Sequence, residues 1–399
     1  MSRPDSIFRK IDTYSVSLEA KKLGIYPYFR EITSEQNTEV RLKQGGNVLM
    51  LGSNNYLGLA NHPEVKEAAI KATEKYGATC AGSRFLNGTL DLHTELESEL
   101  AAWVGKESAL LYTTGFQVGQ GVLAAILGRR DHVLLDRHNH ASILDGAKLS
   151  PAAIDRYMHN DMEHLEELLS HMEEDQGRMI VVDGVFSMEG DIVRLPRLLE
   201  LADTWHAAVM VDDAHGLGVL GELGRGTASF FGLTDKVDLI MGTLSKSLAS
   251  VGGFVAADEQ TIEYLKHHSR ALIFSASMPP SSAAAALAAL KVIKREPERI
   301  ERLWENTERM RRGLTSLGYD TGLSETPIIP IHVGNLDTLA RMFKRLETEG
   351  IFVNPIIPPA VPPNHCLLRI SLMATHSPAQ IDRALDILGR VGRELNVIR

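Results

Sequence analysis

The sequence predicts an α/β fold with a mainly parallel sheet in a large domain, followed by a smaller α+β unit at the C-terminus. Between residues 107 and 260, short and almost wholly apolar segments alternate with segments of helical spacing. Strands this apolar are covered on both faces, as in parallel sheets, and their alternation with helices predicts a doubly wound architecture. A chain of 399 residues with 44% hydrophobic residues can bury such a core.

Each element follows from local pattern. The first 45 residues read as helix and charged turn, residues 49–59 as a short strand entering a turn, and residues 63–76 as a helix with Pro63 in its first turn. The apolar segments predict strands at 109–112, 133–135, 179–182, 207–211, 237–241 and 253–256. Further strands are expected at 328–333 and 366–372, and helices at 336–348 and 378–396. We therefore divide the chain into an N-terminal segment (1–58), a large domain (59–290) and a small domain (291–399).

Composition excludes several classes of function. The chain carries 42 Lys and Arg against 51 Asp and Glu, a net charge of −9, which argues against a nucleic-acid partner. Its two cysteines, Cys80 and Cys366, cannot build a disulfide framework or a four-cysteine zinc site, and no metal-ligand motif is present. We find no apolar segment of membrane-spanning length and no signal-like start. A cytoplasmic location is expected.

Polar residues follow the predicted strands at the sheet edge where α/β proteins bind ligands. Lys246 follows the strand at 237–241, and a lysine desolvated there suits Schiff-base chemistry, although it also reads as a surface residue at a helix start. Asp212 and Asp213 end another strand, where one carboxylate can face a cationic ring nitrogen and the other can cap a helix. His140 and His215 also follow strands closely, and two histidines at one sheet edge with a lysine and an aspartate favour chemistry over structure.

Two further features point to anionic ligands. TTGFQ (113–117) opens a helical segment, whose N-terminal N–H groups suit a phosphate, and the chain lacks P-loop and dinucleotide motifs, which favours a small phosphorylated cofactor. Arg369 shares a strand face with Ser371 and can clamp a carboxylate, or can form a surface ion pair.

Six motifs together resemble the α-oxoamine synthases, which are fold-type I pyridoxal-phosphate (PLP) enzymes, over almost the whole chain. They are SNNYLGL (53–59), GSRFLNGT (82–89), DGVFSMEGD (183–191), VDDAHGLG (211–218), GTLSKSL (242–248) and FSASMPP (274–280). The resemblance implies a fold-type I aminotransferase-like fold and PLP as cofactor.

The same resemblance implies a role for each matched residue. Lys246 would form the Schiff base with PLP and later act as general base, and Asp212 would keep the pyridine nitrogen protonated. His215 and Ser187 would hydrogen-bond the phenolic oxygen, while His140 would stack on the ring and help to hold the substrate carboxylate. The remaining roles are phosphate contacts by Gly115, Phe116, Thr243 and Ser245, a phosphate contact in the other subunit by Ser275, and carboxylate binding by Asn54 and Arg369.

The implied reaction is decarboxylative condensation of an amino acid with an acyl-CoA. CAGSRFLNGTLDLH (80–93) and PPAVP (358–362) favour L-serine and palmitoyl-CoA, giving 3-ketodihydrosphingosine, CoA and CO2 in the first step of sphingolipid synthesis. Ile357 stands where some enzymes using serine carry an arginine, which puts the substrate in question. The alternatives are synthesis of 8-amino-7-oxononanoate from alanine, another family reaction, or a non-catalytic paralogue, which Lys246 disfavours.

The resemblance also implies a homodimer with shared active sites. An amphipathic N-terminal stretch (Ile7, Ile11, Tyr14, Leu18) leaves peripheral association with the inner face of the membrane open, although the pattern favours burial against the large domain.

Overall fold

A computed structural model describes residues 7–22, 24–358, 361–362 and 364–399. The α-helices of this part are α1 (Arg9–Asp12), α2 (Val16–Lys22), α3 (Pro63–Tyr76), α4 (Asp91–Val104), α5 (Gly115–Ile126), α6 (Ala141–Leu149), α7 (Met162–Ser170), α8 (Leu195–Trp205), α9 (Thr227–Phe230), α10 (Glu259–His268), α11 (Arg270–Ile273), α12 (Pro280–Arg295), α13 (Glu298–Leu317), α14 (Leu336–Thr348) and α15 (Pro378–Glu394). The strands are β1 (Glu39–Leu42), β2 (Gly46–Met50), β3 (Ser108–Tyr112), β4 (His132–Asp136), β5 (Ala153–Tyr157), β6 (Arg178–Asp183), β7 (Ala208–Asp212), β8 (Leu239–Thr243), β9 (Gly253–Ala257), β10 (Ile328–Gly334), β11 (Ile351–Phe352), β12 (Asn354–Ile356) and β13 (Cys366–Ser371).

A seven-stranded sheet in the order β3-β9-β8-β7-β6-β4-β5 forms the centre of the protein. Strands β5, β4, β6, β7 and β8 run parallel, and β9 is antiparallel to both of its neighbours. The predicted fold class is confirmed. The carboxyl ends of β4, β6, β7 and β8 consequently meet at one edge, which collects the residues that follow them.

Apolar side chains cover both faces of this sheet. Along β6, Ile180 and Val182 belong to one buried cluster, whereas Met179 and Val181 belong to another on the opposite face. Alternation of two apolar sets along one strand explains why the sequence shows a continuous apolar segment instead of an alternating one.

Two small sheets complete the architecture. Strands β10, β13 and β12 form one antiparallel sheet. The other sheet has the order β1-β2-β11, in which β11 pairs in parallel with β2. The first 45 residues therefore contain a strand that we did not predict, β1, in which only Val40 and Leu42 are buried. Strand β5 was also missed, because it lies at the sheet edge and its sequence AIDRY is largely polar and only partly buried.

In the part of the chain that the structure describes, no helix is long and apolar enough to cross a bilayer.

Candidate active site

A cavity of about 250 Å³ lies at the carboxyl edge of the central sheet. Eight of the twelve predicted site residues line it: Gly115, Phe116, His140, Asp212, His215, Thr243, Ser245 and Lys246. Asn54, Ser187, Ser275 and Arg369 are not among its lining residues.

Lys246 enters the cavity three residues after β8 ends at Thr243. Burial, together with the nearby Arg369, lowers the pKa of Lys246 to about 7, against the opposing effect of the Asp212 and Asp183 carboxylates. A lysine of this pKa is partly a neutral amine near pH 7, the form that attacks an aldehyde.

The two neighbouring aspartates at the end of β7 do different things. Asp212 lines the cavity, and burial raises its pKa while Lys246 and His140 lower it. Asp213 instead accepts hydrogen bonds from the amide and the hydroxyl of Thr227, both at 2.6 Å, and burial raises its pKa to about 7. Only the first of the pair is therefore available to a ligand.

Tyr56 is a site residue that sequence reasoning did not single out, although it lies within the SNNYLGL motif. Its hydroxyl lies 2.7 Å from Nδ1 of His215, and both side chains are buried. Burial lowers the pKa of His215 well below its usual value and raises that of Tyr56, so the imidazole is neutral and the phenol is protonated. Donation from the Tyr56 hydroxyl to Nδ1 leaves the His215 Nε2–H free to donate elsewhere.

Helix α5 begins at the cavity, which its first two residues, Gly115 and Phe116, line. Thr114 caps this helix by accepting from the amide of Gln117, and Gly115 is its first residue. A Cβ at Gly115 would lie 2.7 Å from the Thr243 hydroxyl, so glycine keeps this space open. The Thr243 hydroxyl is also 2.8 Å from that of Ser245. Hydroxyls and free N–H groups at a helix start suit a phosphate.

His140 is held by its backbone and by its ring. Its amide donates to Oδ1 of Asp183 at 3.1 Å, its Nδ1 is 2.8 Å from the Ser142 hydroxyl, and its ring packs edge-on to Phe116. Asp183 was not predicted as a site residue. It lines the cavity, and burial together with the neighbouring Asp212 raises its pKa well above the usual value.

Arg369 is only 4% exposed and is not a surface ion pair. Its Nε donates to the Ser187 carbonyl at 2.5 Å, and its Nη1 donates to Oδ1 of Asn54 at 3.1 Å and to the hydroxyl of Ser371 at 2.9 Å. This contact uses the main chain of Ser187, and the predicted contact of its hydroxyl with the cofactor stays a prediction. Nη2 of Arg369 is buried without a hydrogen-bond partner, which is the arrangement expected of a group that awaits an acceptor.

A second cavity of about 550 Å³ adjoins the first. Asn54 lines it, and Ser245, Lys246 and Val251 are shared by both cavities. Ser275 lines neither of them: its hydroxyl accepts from Nε2 of Gln117 at 3.0 Å. Of the PPAVP segment, Pro359 and Ala360 lie outside the described residues.

Comparison with known proteins agrees with this fold. Residues 46–388 match the family model for class I and II aminotransferases. The chain is 52% identical to serine palmitoyltransferase of Sphingobacterium spiritivorum over 97% of both chains, and 44% identical to 8-amino-7-oxononanoate synthase of Geotalea daltonii over 97% of this chain and 99% of that one. The chain belongs to the class I and II aminotransferase family.

Solved structures narrow the class. A serine palmitoyltransferase of Sphingomonas wittichii superposes with a TM-score of 0.95 at 34% identity, covering 99% of this chain and 100% of that one. A serine palmitoyltransferase from S. paucimobilis with bound PLP and myriocin has a TM-score of 0.94 at 33% identity, covering 98% and 100%. Within its family, the protein is an α-oxoamine synthase.

Proposed function

We propose that this protein condenses L-serine with palmitoyl-CoA in a PLP-dependent reaction that releases CoA and CO2. The product is 3-ketodihydrosphingosine, and the reaction is the first step of sphingolipid synthesis. The observation that carries the proposal is a lysine of near-neutral pKa in one cavity with a buried aspartate, beside an arginine with an unused N–H group. The 52% identity to a serine palmitoyltransferase over nearly the whole chain supports the choice of substrate.

The cavity fits PLP at each of its functional groups. The Lys246 amine suits the aldehyde, Asp212 suits a protonated pyridine nitrogen, and the α5 N-terminus suits the phosphate. The Nε2–H of His215 suits the phenolic oxygen. A cationic ring nitrogen would also offset the free-energy cost of burying the Asp212 carboxylate. That cost is what raises the pKa of Asp212 in its absence.

PLP supplies an electron sink for the bond-breaking steps. The chain's residues supply proton transfer and orientation. Nζ of Lys246, partly neutral near pH 7, removes the α-proton of serine as general base. The α-carbon then bonds to the thioester carbonyl, CoA leaves as a thiolate that takes up a proton, and the serine carboxyl leaves as CO2. A proton returns to the α-carbon.

Carboxylate binding falls to Arg369, Asn54 and His140. A guanidinium fixed by three hydrogen bonds, with one nitrogen free, holds a carboxylate in a single orientation. Because Ile357 supplies no charge, these residues act without a further arginine from that position.

The protein would act as a cytoplasmic homodimer in which Ser275 reaches the phosphate of the partner subunit. Ser275 does not line the cavity of its own chain, which supports this assignment. Liposome flotation tests the additional proposal of peripheral membrane association, which recovery of all protein in the lipid-free fraction would contradict.

An absorbance titration of the PLP-loaded protein tests the proposed substrate. Serine should change the cofactor spectrum at lower concentration than alanine or glycine, and palmitoyl-CoA should then yield a product of the mass of 3-ketodihydrosphingosine. The 44% identity to an 8-amino-7-oxononanoate synthase makes alanine with pimeloyl-CoA the alternative. A response to alanine alone, with turnover of pimeloyl-CoA, would establish that alternative.

A further inference from the structure

His159 lies between two carboxylates on different segments of the chain. It follows β5, and its Nδ1 is 3.1 Å from Oδ1 of Asp136 while its Nε2 is 3.0 Å from Oδ2 of Asp191. The exposed side-chain fractions are 22% for His159, zero for Asp136 and 9% for Asp191. None of the three lines the active-site cavity.

This geometry requires a doubly protonated ring. A neutral imidazole has one N–H group and can donate to only one carboxylate, whereas the imidazolium donates to both. Burial opposes the charge, but hydrogen bonds to Asp136 and Asp191 raise the pKa of His159 to about 10. The charged ring also stacks on His138, at 4.2 Å between centroids, and His138 contacts Glu189 at 2.9 Å.

Each carboxylate belongs to a segment that carries a site residue. Asp136 stands at the start of the segment with His140, and Asp191 stands at the end of the segment with Ser187. Asp136 is the last residue of β4, four residues before His140, and it also accepts from the amide of His138 at 2.7 Å. Asp191 lies in the segment after β6, where its carbonyl accepts from the amide of Phe186.

The neighbouring residue reinforces the connection. The amide of Asn160 donates to Oδ2 of Asp136 at 2.7 Å, and its side-chain nitrogen donates to Oδ2 of Asp191 at 3.0 Å. The segment that Asp191 closes contains Ser187, whose carbonyl orients Arg369. His159 and Asn160 thus connect Asp136, which precedes His140, to Asp191, which closes the segment whose Ser187 carbonyl orients Arg369.

We propose that His159 is a positioning residue, a permanently charged imidazolium that fixes the loop carrying His140 against the segment that orients Arg369. The inference rests on the proposed function, because it assigns these two residues to substrate carboxylate binding. His159 itself touches neither substrate nor cofactor. Its effect is to keep the two carboxylate-binding groups at a constant separation.

A His159→Asn variant of the PLP-loaded protein tests the proposal, with His171→Asn as the matched control. His171 is exposed and follows the last residue of α7, and its Nδ1 lies 2.8 Å from the Glu167 carbonyl of that helix. In His159→Asn, PLP occupancy should persist while the apparent Kd for serine rises on the order of tenfold or more, since small displacements of orienting groups are costly. The KM for palmitoyl-CoA should change by less than about twofold on the same reasoning, and the control should match the parent protein.

The protonation state is measured separately, in protein without cofactor. In 15N-histidine-labelled protein, the His159 ring, assigned by its loss in His159→Asn or its shift in Asp191→Asn, should carry hydrogen on both nitrogens at pH 8.5. A neutral ring at that pH would overturn the proposal, as would an unchanged serine Kd in folded His159→Asn. If the parent protein itself does not respond to serine, the proposed function fails, while the NMR result still decides whether the charged bridge exists.

Discussion

Replacement of Arg369 by lysine tests the carboxylate-binding assignment most directly. The guanidinium uses Nε and Nη1 for three contacts within the protein and leaves Nη2 for the ligand. Lysine keeps the charge but cannot make these contacts and a ligand contact together. A charge-assisted hydrogen bond contributes about 1.5–3 kcal/mol, so loss of one to serine predicts a Kd raised roughly 10- to 150-fold at about 1.4 kcal/mol per tenfold.

The assay is the absorbance titration with serine, run beside thermal unfolding of the same preparation. Arg309→Lys is the matched control. Arg309 forms an exposed bidentate pair with Asp382, and both residues are far in sequence from the residues that line the cavity. PLP occupancy should be unchanged in both variants. A serine Kd within about twofold of the parent value, in Arg369→Lys that binds PLP normally, would refute the assignment, since it corresponds to less than about 0.5 kcal/mol.

Three further outcomes are expected. Borohydride reduction of the PLP-loaded protein should add the cofactor mass to the peptide that contains Lys246, and Lys246→Met should abolish both labelling and turnover; a label on another lysine would contradict the assignment. Tyr56→Phe removes the partner of His215 Nδ1 and should lower the free energy of unfolding by about 1–3 kcal/mol, with a shifted cofactor spectrum, whereas the exposed Tyr264→Phe should change neither. Burial lowers the pKa of His376 to about 4, so the unfolded chain binds more protons than the native protein between about pH 6.5 and 4. The free energy of unfolding should therefore fall by about 3 kcal/mol as the pH drops through that window. In urea titrations, His376→Asn should show a smaller dependence on pH, and an equal dependence in both proteins would contradict the assignment to His376.

The fold was predictable where packing leaves a mark on sequence. Strands β4, β6, β7 and β8 are buried on both faces, so their composition alone reveals them. Strand β5 pairs on one side only, and its half-exposed sequence resembles a turn. Strand β1 has only four residues and pairs with the adjacent β2. Part of its burial comes from Met373, a contact with a distant part of the chain that no local pattern encodes.

The candidate site was predictable for residues that directly follow buried strands. Asp212 and Lys246 qualify because strand ends collect at one edge. Asp183 also ends a buried strand, β6, but its position alone did not distinguish it from a residue that only supports the fold. Tyr56 was missed because its importance lies in one contact, with His215, and 159 positions separate these two residues in sequence, so spacing cannot reveal it.

Burial alone explains the direction of several pKa shifts in the cavity. It raises those of Asp183 and Asp212 and lowers those of Lys246 and His215, in each case toward the neutral form. His159, outside the cavity, departs from this pattern because two carboxylates outweigh its burial. Groups held near neutrality can exchange protons and meet the charges of a ligand, whereas the charged ring of His159, already paired with two carboxylates, holds its neighbours in place. Desolvation shifts the pKa of Lys246 toward the neutral, reactive form. At His159 the two carboxylates outweigh desolvation, and this difference separates the residues of the cavity from the residue that positions them.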